Sequence, residues 1–304
     1  MSVTGPSFST TSLQRKHHAR GLKNSAKTLL TMALVIVMAA YFLLPLYWLL
    51  VSMTKNTTQL FNTPMLAFPS HLNLGANLRW LSSYQGGIFW RWVLNSVIYA
   101  VITSCGATLI SAMAGYVIAM YNFRFKRQMS FAVLGALMVP SAAMVIPVFL
   151  MIKSLGLINT YAGVILPMLF NPFGVYFMMV YIHEAMPMEL IDSGRIDGAN
   201  DYGIFFRIGM PLIRPGLVTL LLITFVSTWN NFFLPLVLLN NSNLYPLTLG
   251  LDIWTANLNT AGAGQPLYPL ILIGAFLSIL PMLILFPLLR NYIVSGIAMG
   301  SVKS

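Results

Sequence analysis

Carboxylates are the side chains in this sequence most able to do chemistry, and five of the six acidic residues lie in one short segment. They are Glu184, Glu189, Asp192, Asp197 and Asp201. General acid–base catalysis needs a second titratable group held at a defined distance, and no such arrangement is evident here. The histidines are isolated or adjacent to each other near the N-terminus, and the only cysteine lies in an apolar run. We therefore predict no catalytic residue and no metal site.

The elements around these carboxylates are apolar. Hydrophobic residues make up 58% of the 304-residue chain and charged residues only 8%, whereas soluble domains carry about 25% charged residues. The net charge of +11 comes from basic residues at the ends of apolar runs. A nucleic-acid-binding protein would instead cluster them on one face. The composition therefore predicts a membrane protein that binds no nucleic acid.

Six apolar segments are long enough to predict an all-α membrane protein with six transmembrane helices. The first run, residues 28–53, spans about 26 residues, close to the roughly 20 that a crossing needs and longer than the core of a signal peptide. A polar, basic tail precedes it at residues 1–26. The other predicted spans are residues 90–120, 129–152, 161–182, 213–239 and 268–290.

Lysine and arginine counts predict the orientation. With six spans, the segments on one side carry 13 of these residues and those on the other side carry 4. Since loops rich in Lys and Arg stay in the cytoplasm, both termini are expected there. The two long segments 54–89 and 240–267 are then external.

The predicted spans contain almost no ionisable residue. Carriers coupled to protons or sodium usually need buried carboxylates or histidines, so uphill transport would draw its energy from a partner. The polar residues in the spans are neutral, and two interpretations stay open: they line a pathway for a neutral sugar, or they form hydrogen bonds between helices. The candidate pathway residues are Asn95, Thr228, Trp229, Asn230 and Asn231. A small-residue stripe, Ala107, Ser111 and Gly115, predicts close helix packing.

The acidic segment, residues 184–211, predicts two short helices joined by a turn. Pro187 suits a first helical turn, and Asp197-Gly198 is a turn signal. Asn200 or Asp201 can cap the second helix, and Pro211 is expected to end it. Exposed aromatic side chains at Tyr202, Phe205 and Phe206 would need cover, either by a partner protein or by the lipid surface.

This segment resembles the EAA loop of ABC-importer membrane subunits, whose pattern is Glu-Ala-Ala, three residues, Gly, nine residues, Ile-x-Leu-Pro. Gly198, Ile208 and Pro211 match it, and the surrounding Pro-x-Glu-Leu, Arg-Ile-Asp-Gly-Ala and Pro-Leu-x-x-Pro are typical of the carbohydrate branch. Asp192-Ser193-Gly194 replaces Glu-Ala-Ala, and Met210 replaces Leu. Trp229-Asn230-Asn231-Phe232 also resembles a family motif in the fifth span. The resemblance covers the chain from about residue 28 to the end.

The resemblance implies a permease subunit with the type I importer fold, in which this loop couples the spans to an ATPase. The ATPase-coupling residues it implies are Glu189, Asp192, Ser193, Gly194, Arg195, Asp197, Gly198, Ala199, Tyr202, Ile208 and Pro211. It also implies partners: a second, different permease, two cytoplasmic ABC ATPases that bind ATP and magnesium, and an extracytoplasmic sugar-binding protein.

The chain lacks a phosphate-binding Gly-x-x-x-x-Gly-Lys-Ser/Thr loop, so we expect it to bind no cofactor and to be no enzyme. The expected location is a bacterial or archaeal cytoplasmic membrane, and the expected substrate a di- or oligosaccharide. The alternatives are a self-contained carrier or channel for a small polar solute, and a membrane-embedded enzyme.

Overall fold

The computed structural model describes the backbone of residues 10–258 and 267–299, and the side chains of residues 27–258 and 267–287. Every regular element within these ranges is helical. We number the α-helices in chain order, and treat Asp201–Leu212 as one helix with a π-helical centre. They are α1 Thr10–Ser52, α2 Thr57–Asn62, α3 Leu74–Ser83, α4 Ile88–Met120, α5 Lys126–Leu137, α6 Val145–Ser154, α7 Tyr161–Leu169, α8 Pro172–Ala185, α9 Met188–Ile196, α10 Asp201–Leu212, α11 Arg214–Trp229, α12 Phe233–Leu238, α13 Leu247–Leu258 and α14 Tyr268–Met299.

Four helical stretches in the described ranges are long and apolar enough to cross a membrane without a sharp bend. They are Lys27–Ser52, Ile88–Met120, Tyr161–Ala185 and Tyr268–Pro287. Two further pairs pass the same test together but bend strongly, by 99° between Leu137 and Ser141 and by 81° between Leu212 and Arg214. Counting each bent pair as one crossing gives six spans, the number that the sequence predicts.

The chain forms two compact units, and the first ends at Leu72. Its main element is α1, whose backbone is helical from Thr10 onward, so the helix begins inside the polar tail predicted for residues 1–26. The following segment is ordered by local bonds: Asn56 and Gln59 form a reciprocal capping box at the start of α2. The buried Lys55 donates a hydrogen bond of 2.8 Å to the Pro64 carbonyl.

The second unit, which begins at Asn73, is built around α4. This helix packs against α8 and α11 along most of its length. A Cβ added at Gly115 would lie 2.7 Å from the Met179 backbone nitrogen, so only glycine allows α4 and α8 to approach so closely. Ala107 and Ser111 are fully buried. The small-residue stripe therefore serves helix packing, as predicted.

The third, fourth and fifth predicted spans are broken within the membrane-spanning region. The third is divided into α5 and α6, the fourth into α7 and α8, and the fifth into α11 and α12. Near two of the breaks stand Pro140 and Pro172, which lack the N–H that would continue the helix. Asn171 caps the restarted α8 through its side-chain oxygen, 3.0 Å from the Gly174 nitrogen. The third span turns by 99° at its break, whereas Tyr161–Ala185 passes its two-residue break without a sharp bend; the sequence predicted kinks at both places.

Candidate functional site

The first half of the 184–211 loop is the short helix α9, which starts directly after Pro187 with Glu189 in its first turn. It ends in a Schellman motif: Gly198 donates 3.0 Å to the Arg195 carbonyl and Ala199 donates 2.9 Å to the Gly194 carbonyl. Gly198 has a φ of +78°, a left-handed conformation that favours glycine. The turn predicted at Asp197-Gly198 is confirmed.

The second half of the loop is α10, and Asn200 begins it. The Asn200 side chain accepts a hydrogen bond of 2.7 Å from the Gly203 nitrogen, which confirms the predicted cap. The segment Ile204–Gly209 is a π-helix, a form frequently found at functional sites. The predicted end at Pro211 lies one residue before the observed end at Leu212, and an 81° bend follows.

A close contact between the two helices makes the loop stiff. Gly194 is buried, and a Cβ there would lie 3.1 Å from Ile208 Cδ1 and 3.2 Å from Ile204 Cγ1. Ile204 and Phe205 belong to a buried cluster that also contains side chains from α4 and α8. The prediction that Phe205 is exposed is therefore wrong, and Ile208 also packs against this cluster. Of the predicted coupling residues, Gly194 and Ile208 face the interior.

On the other side of the loop, charged and aromatic groups connect α9 to α10. Arg195 Nη2 lies 3.3 Å from Asp201 Oδ1, and Arg195 Nη1 lies 4.0 Å from Asp192 Oδ1. The Arg195 guanidinium also lies 5.5 Å from the ring centroid of Tyr121, in the connection after α4. Interaction with the Tyr121 hydroxyl, and then with Arg195, holds the pKa of Asp201 below its usual value. Asp201 is therefore ionised at neutral pH, so the ion pair is fully charged there.

The exposed side of the loop carries large apolar side chains. Ile196 is 86% exposed and Tyr202 is 71% exposed, and Met188 and Phe206 are also exposed. Ile196 is not in the predicted coupling set, although its place at the helix end beside Asp197-Gly198 is a signal for an exposed position. The other predicted coupling residues are exposed apart from the partly buried Ala199: Glu189, Asp192, Ser193, Arg195, Asp197, Gly198, Tyr202 and Pro211.

The predicted pathway residues do not form one surface. Asn95 is 0% exposed and all its amide groups are used. Its Nδ2 donates to the carbonyls of Asn243 and Tyr245 at 2.8 and 2.9 Å, and its Oδ1 accepts from the Tyr161 hydroxyl at 2.6 Å. In this structure Asn95 is enclosed by these partners, which matches the alternative of hydrogen bonding between helices; its role in a pathway stays a prediction.

The span 5 residues divide in the same way. Trp229 is buried and donates 3.1 Å to the Ser278 carbonyl, which matches the alternative of hydrogen bonding between helices. Thr228 is buried with no hydrogen-bond partner for its hydroxyl. Asn230 is exposed, and its amide bonds the Val226 carbonyl one turn back. Asn231 is partly buried and lies at the break between α11 and α12.

Sequence reasoning missed a group of α4 side chains that hold the 240–247 loop. Trp92 donates 2.8 Å to the Ser242 carbonyl, and Tyr99 donates 3.0 Å to the Leu244 carbonyl. Ser96 Oγ accepts 2.7 Å from the Leu247 nitrogen. With Asn95, these side chains repeat every three or four residues and form one stripe of α4. The spacing was visible in the sequence, but the bonded atoms are backbone groups about 150 residues away.

A cavity of about 490 Å³ lies where the three broken spans meet. Most of its wall is apolar, and Phe170, Phe233 and Met144 contribute to it. Its polar side chains are Ser141 and Asn231. Helix ends leave backbone groups without intrahelical partners, so the cavity also has access to backbone hydrogen-bonding groups. Within the described side chains, no three His, Cys, Asp or Glu residues converge as metal ligands would.

Comparison with known proteins shows the family and the fold. Residues 107–299 match the family described as binding-protein-dependent transport system inner membrane component. The arabinooligosaccharide transport permease AraQ of Halalkalibacterium halodurans is 35% identical over 272 residues, covering 89% of this chain and 94% of its own. The lactose transport permease LacG of Rhizobium radiobacter is 30% identical over 270 residues, covering 88% of this chain and 94% of its own.

A solved structure extends the likeness to the whole fold. It is a bacterial ABC transporter involved in the import of the acidic polysaccharide alginate, and one of its chains superposes with a TM-score of 0.77. The identity is 22%, and the match covers 95% of this chain and 99% of the other. The fold is thus that of an ABC-importer membrane subunit. The chain belongs to the family of binding-protein-dependent transport system inner membrane components.

Proposed function

We propose that this chain is one of two different permease subunits of an ATP-driven importer for a di- or oligosaccharide. The 184–211 loop docks on a cytoplasmic ATPase pair, which binds ATP and magnesium. An extracytoplasmic sugar-binding protein delivers the substrate. The chain itself catalyses no reaction, and it resides in a bacterial or archaeal cytoplasmic membrane with both termini inside. The observation that carries the proposal is a stiff loop with exposed apolar side chains.

The docking role rests on the physics of that loop. The Schellman turn, the Asn200 cap and the Gly194 contact hold α9 and α10 in one arrangement, so the loop can transmit force without unfolding. Exposed Ile196 and Tyr202 are the kind of aliphatic and aromatic anchors that fill a pocket on a partner protein. An importer moves substrate by rigid-body shifts between two states, and a stiff loop can transmit these shifts without deforming.

The carbohydrate assignment rests on two observations. Relatives that align over nearly the whole chain are named for the transport of arabinooligosaccharides and lactose. The cavity between the broken spans combines exposed rings at Phe170 and Phe233 with the Asn231 amide and the Ser141 hydroxyl. Rings can cover the apolar faces of a sugar, while amide and hydroxyl groups bond its hydroxyls. We propose Asn231 as a pathway residue, together with the exposed Asn230; buried Thr228 and Trp229 support the helices that carry them.

Reconstitution in lipid vesicles tests the docking role. Wild-type protein is purified with its associated subunits, and retained ATPase and ATP-driven sugar uptake are measured. We expect Ile196→Glu to lower ATPase retention by about tenfold or more, because it places a charge in an apolar contact. Gly198→Asp and Asp197→Lys, which alter the turn, should act in the same direction. Phe61→Glu, at an exposed apolar position outside the loop, is the control and should bind normally.

The opposite results separate the alternatives. If wild-type protein never co-purifies with an ATPase yet moves solute alone, the self-contained carrier is correct. If Ile196→Glu binds as well as Phe61→Glu, the loop is not the docking surface. For the substrate, uptake of an arabinooligosaccharide and of lactose is compared between Asn231→Ala and wild type. A raised KM at Asn231 supports the cavity as part of the pathway, and unchanged kinetics for both sugars exclude it.

A further inference from the structure

Among the described spans of the second unit that pack against the loop, α4 is unbroken. Its 33 residues from Ile88 to Met120 extend about 50 Å at 1.5 Å per residue. The spans of the 126–239 region are interrupted near the cavity. A displacement at one end of an interrupted helix can be absorbed at the break, whereas a continuous helix moves as one body.

The N-terminal end of α4 is bonded to the 240–247 loop. Asn95 Nδ2 donates to two carbonyls of that loop, and Tyr99 donates to a third. Ser96 accepts from the loop's last backbone nitrogen. With all these groups satisfied, this loop must follow any movement of α4.

The C-terminal end of α4 reaches the 184–211 loop through two tyrosines. The Tyr116 ring lies 5.0 Å from the Phe205 ring, inside the buried cluster. Tyr121 follows the last residue of α4, and its ring lies under Arg195 at 5.5 Å. Its hydroxyl is shielded from solvent and lies beside Asp201 and Tyr116 without a well-aligned hydrogen bond.

We propose that Tyr121 is a positioning residue that passes movement of the 184–211 loop to α4, and through α4 to the 240–247 loop. The ring orients Arg195, which joins α9 to α10 by its ion pair with Asp201. The hydroxyl lies beside the same carboxylate. Tyr121 therefore lies beside both Arg195 and Asp201, the ion pair that connects α9 to α10. Its backbone directly follows the last residue of α4. This inference rests on the proposed function and adds a route by which the two faces of the subunit communicate.

The chemistry of Tyr121 suits this role. Burial, and then the neighbouring Asp201 carboxylate, raises the pKa of the Tyr121 hydroxyl, so the group remains a protonated donor at neutral pH. A small shift of α10 would bring the carboxylate into alignment with that donor. Tyr121 can therefore bond Asp201 more strongly in one position of the loop than in another, which is the requirement for biasing two states.

The test measures coupling separately from assembly. The complete complex is reconstituted in vesicles, and ATP hydrolysis is measured with and without the sugar-loaded binding protein. We expect Tyr121→Ala to reduce the stimulated-to-basal ratio about five- to tenfold, within the range of coupling between sites. Tyr121→Phe keeps the ring and should lose only part of the ratio. ATPase retention should stay within about twofold of wild type, because the exposed docking side chains are unchanged.

The matched control is Phe125→Ala, since Phe125 is an exposed aromatic residue in the same connection whose ring contact is with its neighbour Arg124. It should keep the wild-type ratio. A second check combines Tyr121→Phe with Asp201→Asn. If both act through one contact, the double variant should match the stronger single variant, whereas independent effects would multiply.

Three outcomes would overturn the inference. The first is an unchanged stimulated-to-basal ratio in Tyr121→Ala. The second is a loss of ATPase retention equal to that of Ile196→Glu, which would make Tyr121 part of the docking surface. The third is an equal loss of the ratio in Phe125→Ala. Failure of the proposed function is distinct from all three, since it shows as absence of ATPase from the wild-type complex.

Discussion

At its N-terminal end α4 holds the 240–247 loop by hydrogen bonds that Trp92, Asn95 and Tyr99 donate and one that Ser96 accepts. At its C-terminal end the hydroxyls of Tyr116 and Tyr121 are buried without a hydrogen-bond partner. At the first end, all four polar side chains are hydrogen-bonded to the loop. The second is held by ring contacts and shape, which tolerate small shifts because they depend less on direction than hydrogen bonds do. The difference indicates that the N-terminal end of α4 is fixed to the 240–247 loop, whereas the contacts at its C-terminal end can adjust to small shifts.

The largest effect should come from Asn95→Leu, which breaks hydrogen bonds between α4 and the 240–247 loop. The change removes the donor to the Tyr245 carbonyl and the acceptor of the Tyr161 hydroxyl, whereas the Asn243 carbonyl keeps its hydrogen bond from Arg91. We expect a loss of about 2–4 kcal/mol in the free energy of unfolding, from one unsatisfied carbonyl and one unsatisfied hydroxyl. Thermal unfolding in detergent measures it. The control is Asn230→Leu at an exposed position, which should change the free energy of unfolding by no more than about 0.5 kcal/mol. Equal losses in the two variants would show that Asn95 does not fix α4 to the loop.

The next effect concerns the middle of α4. Gly115→Ala would place a Cβ 2.7 Å from the Met179 nitrogen, and backbone cannot move aside as a side chain can. We expect a destabilisation of about 1–3 kcal/mol. Gly135→Ala on α5 is the matched control, since no atom lies within 4 Å of its added Cβ. It should be stabilising by up to about 1 kcal/mol through helix propensity. If Gly115→Ala stabilises too, α4 and α8 are not held at this distance.

A pair of identical substitutions compares the two ends directly. Tyr99→Phe removes the donor to the Leu244 carbonyl and should cost about 1–2 kcal/mol. Tyr116→Phe removes a hydroxyl without an aligned hydrogen-bond partner, so the free energy of unfolding should stay within about 0.5 kcal/mol of wild type or rise. Thermal shifts in the same detergent measure both. Equal destabilisation would mean that the two ends are bonded alike.

The smallest effect is expected for Gly194→Ala, which restores the usual alanine of the family motif. Helix propensity favours the change by about 1 kcal/mol, while the new methyl would lie 3.1 Å from Ile208 Cδ1. Because that atom ends a side chain that can move, we expect the stability to stay within about 1 kcal/mol of wild type. Melting temperature and ATPase retention check it. A loss above about 2 kcal/mol would show that the loop is too tightly packed to adjust.

Local signals predicted the 184–211 loop well. The turn at Asp197-Gly198 and the cap at Asn200 depend on a few neighbouring residues, and both are confirmed. The exposure of Phe205 was predicted wrongly because the π-helical segment Ile204–Gly209 shifts which side chains face inward. Four apolar stretches and two bent pairs also follow from composition, since length and hydropathy alone define a candidate span.

Long-range contacts explain what the sequence could not predict. Asn95 was interpreted as a pathway residue because a polar side chain in an apolar run has no visible partner. Its partners, at Asn243 and Tyr245, become neighbours only after the whole unit has folded. Similarly, Pro140 is visible as a possible kink, but the 99° bend beside it depends on the helices packed around it.

The three broken spans have a consequence for how the cell produces this protein. Lipid offers no partners to backbone groups at helix breaks, so such breaks persist only where protein or water covers them. Met138 and Phe170, which stand at two of the breaks, are among the most exposed apolar residues. On the proposed function, a copy made in excess of the proposed partner subunits would keep these breaks uncovered and be subject to proteolysis. The amount of the proposed partner subunits would therefore set how much of this chain accumulates.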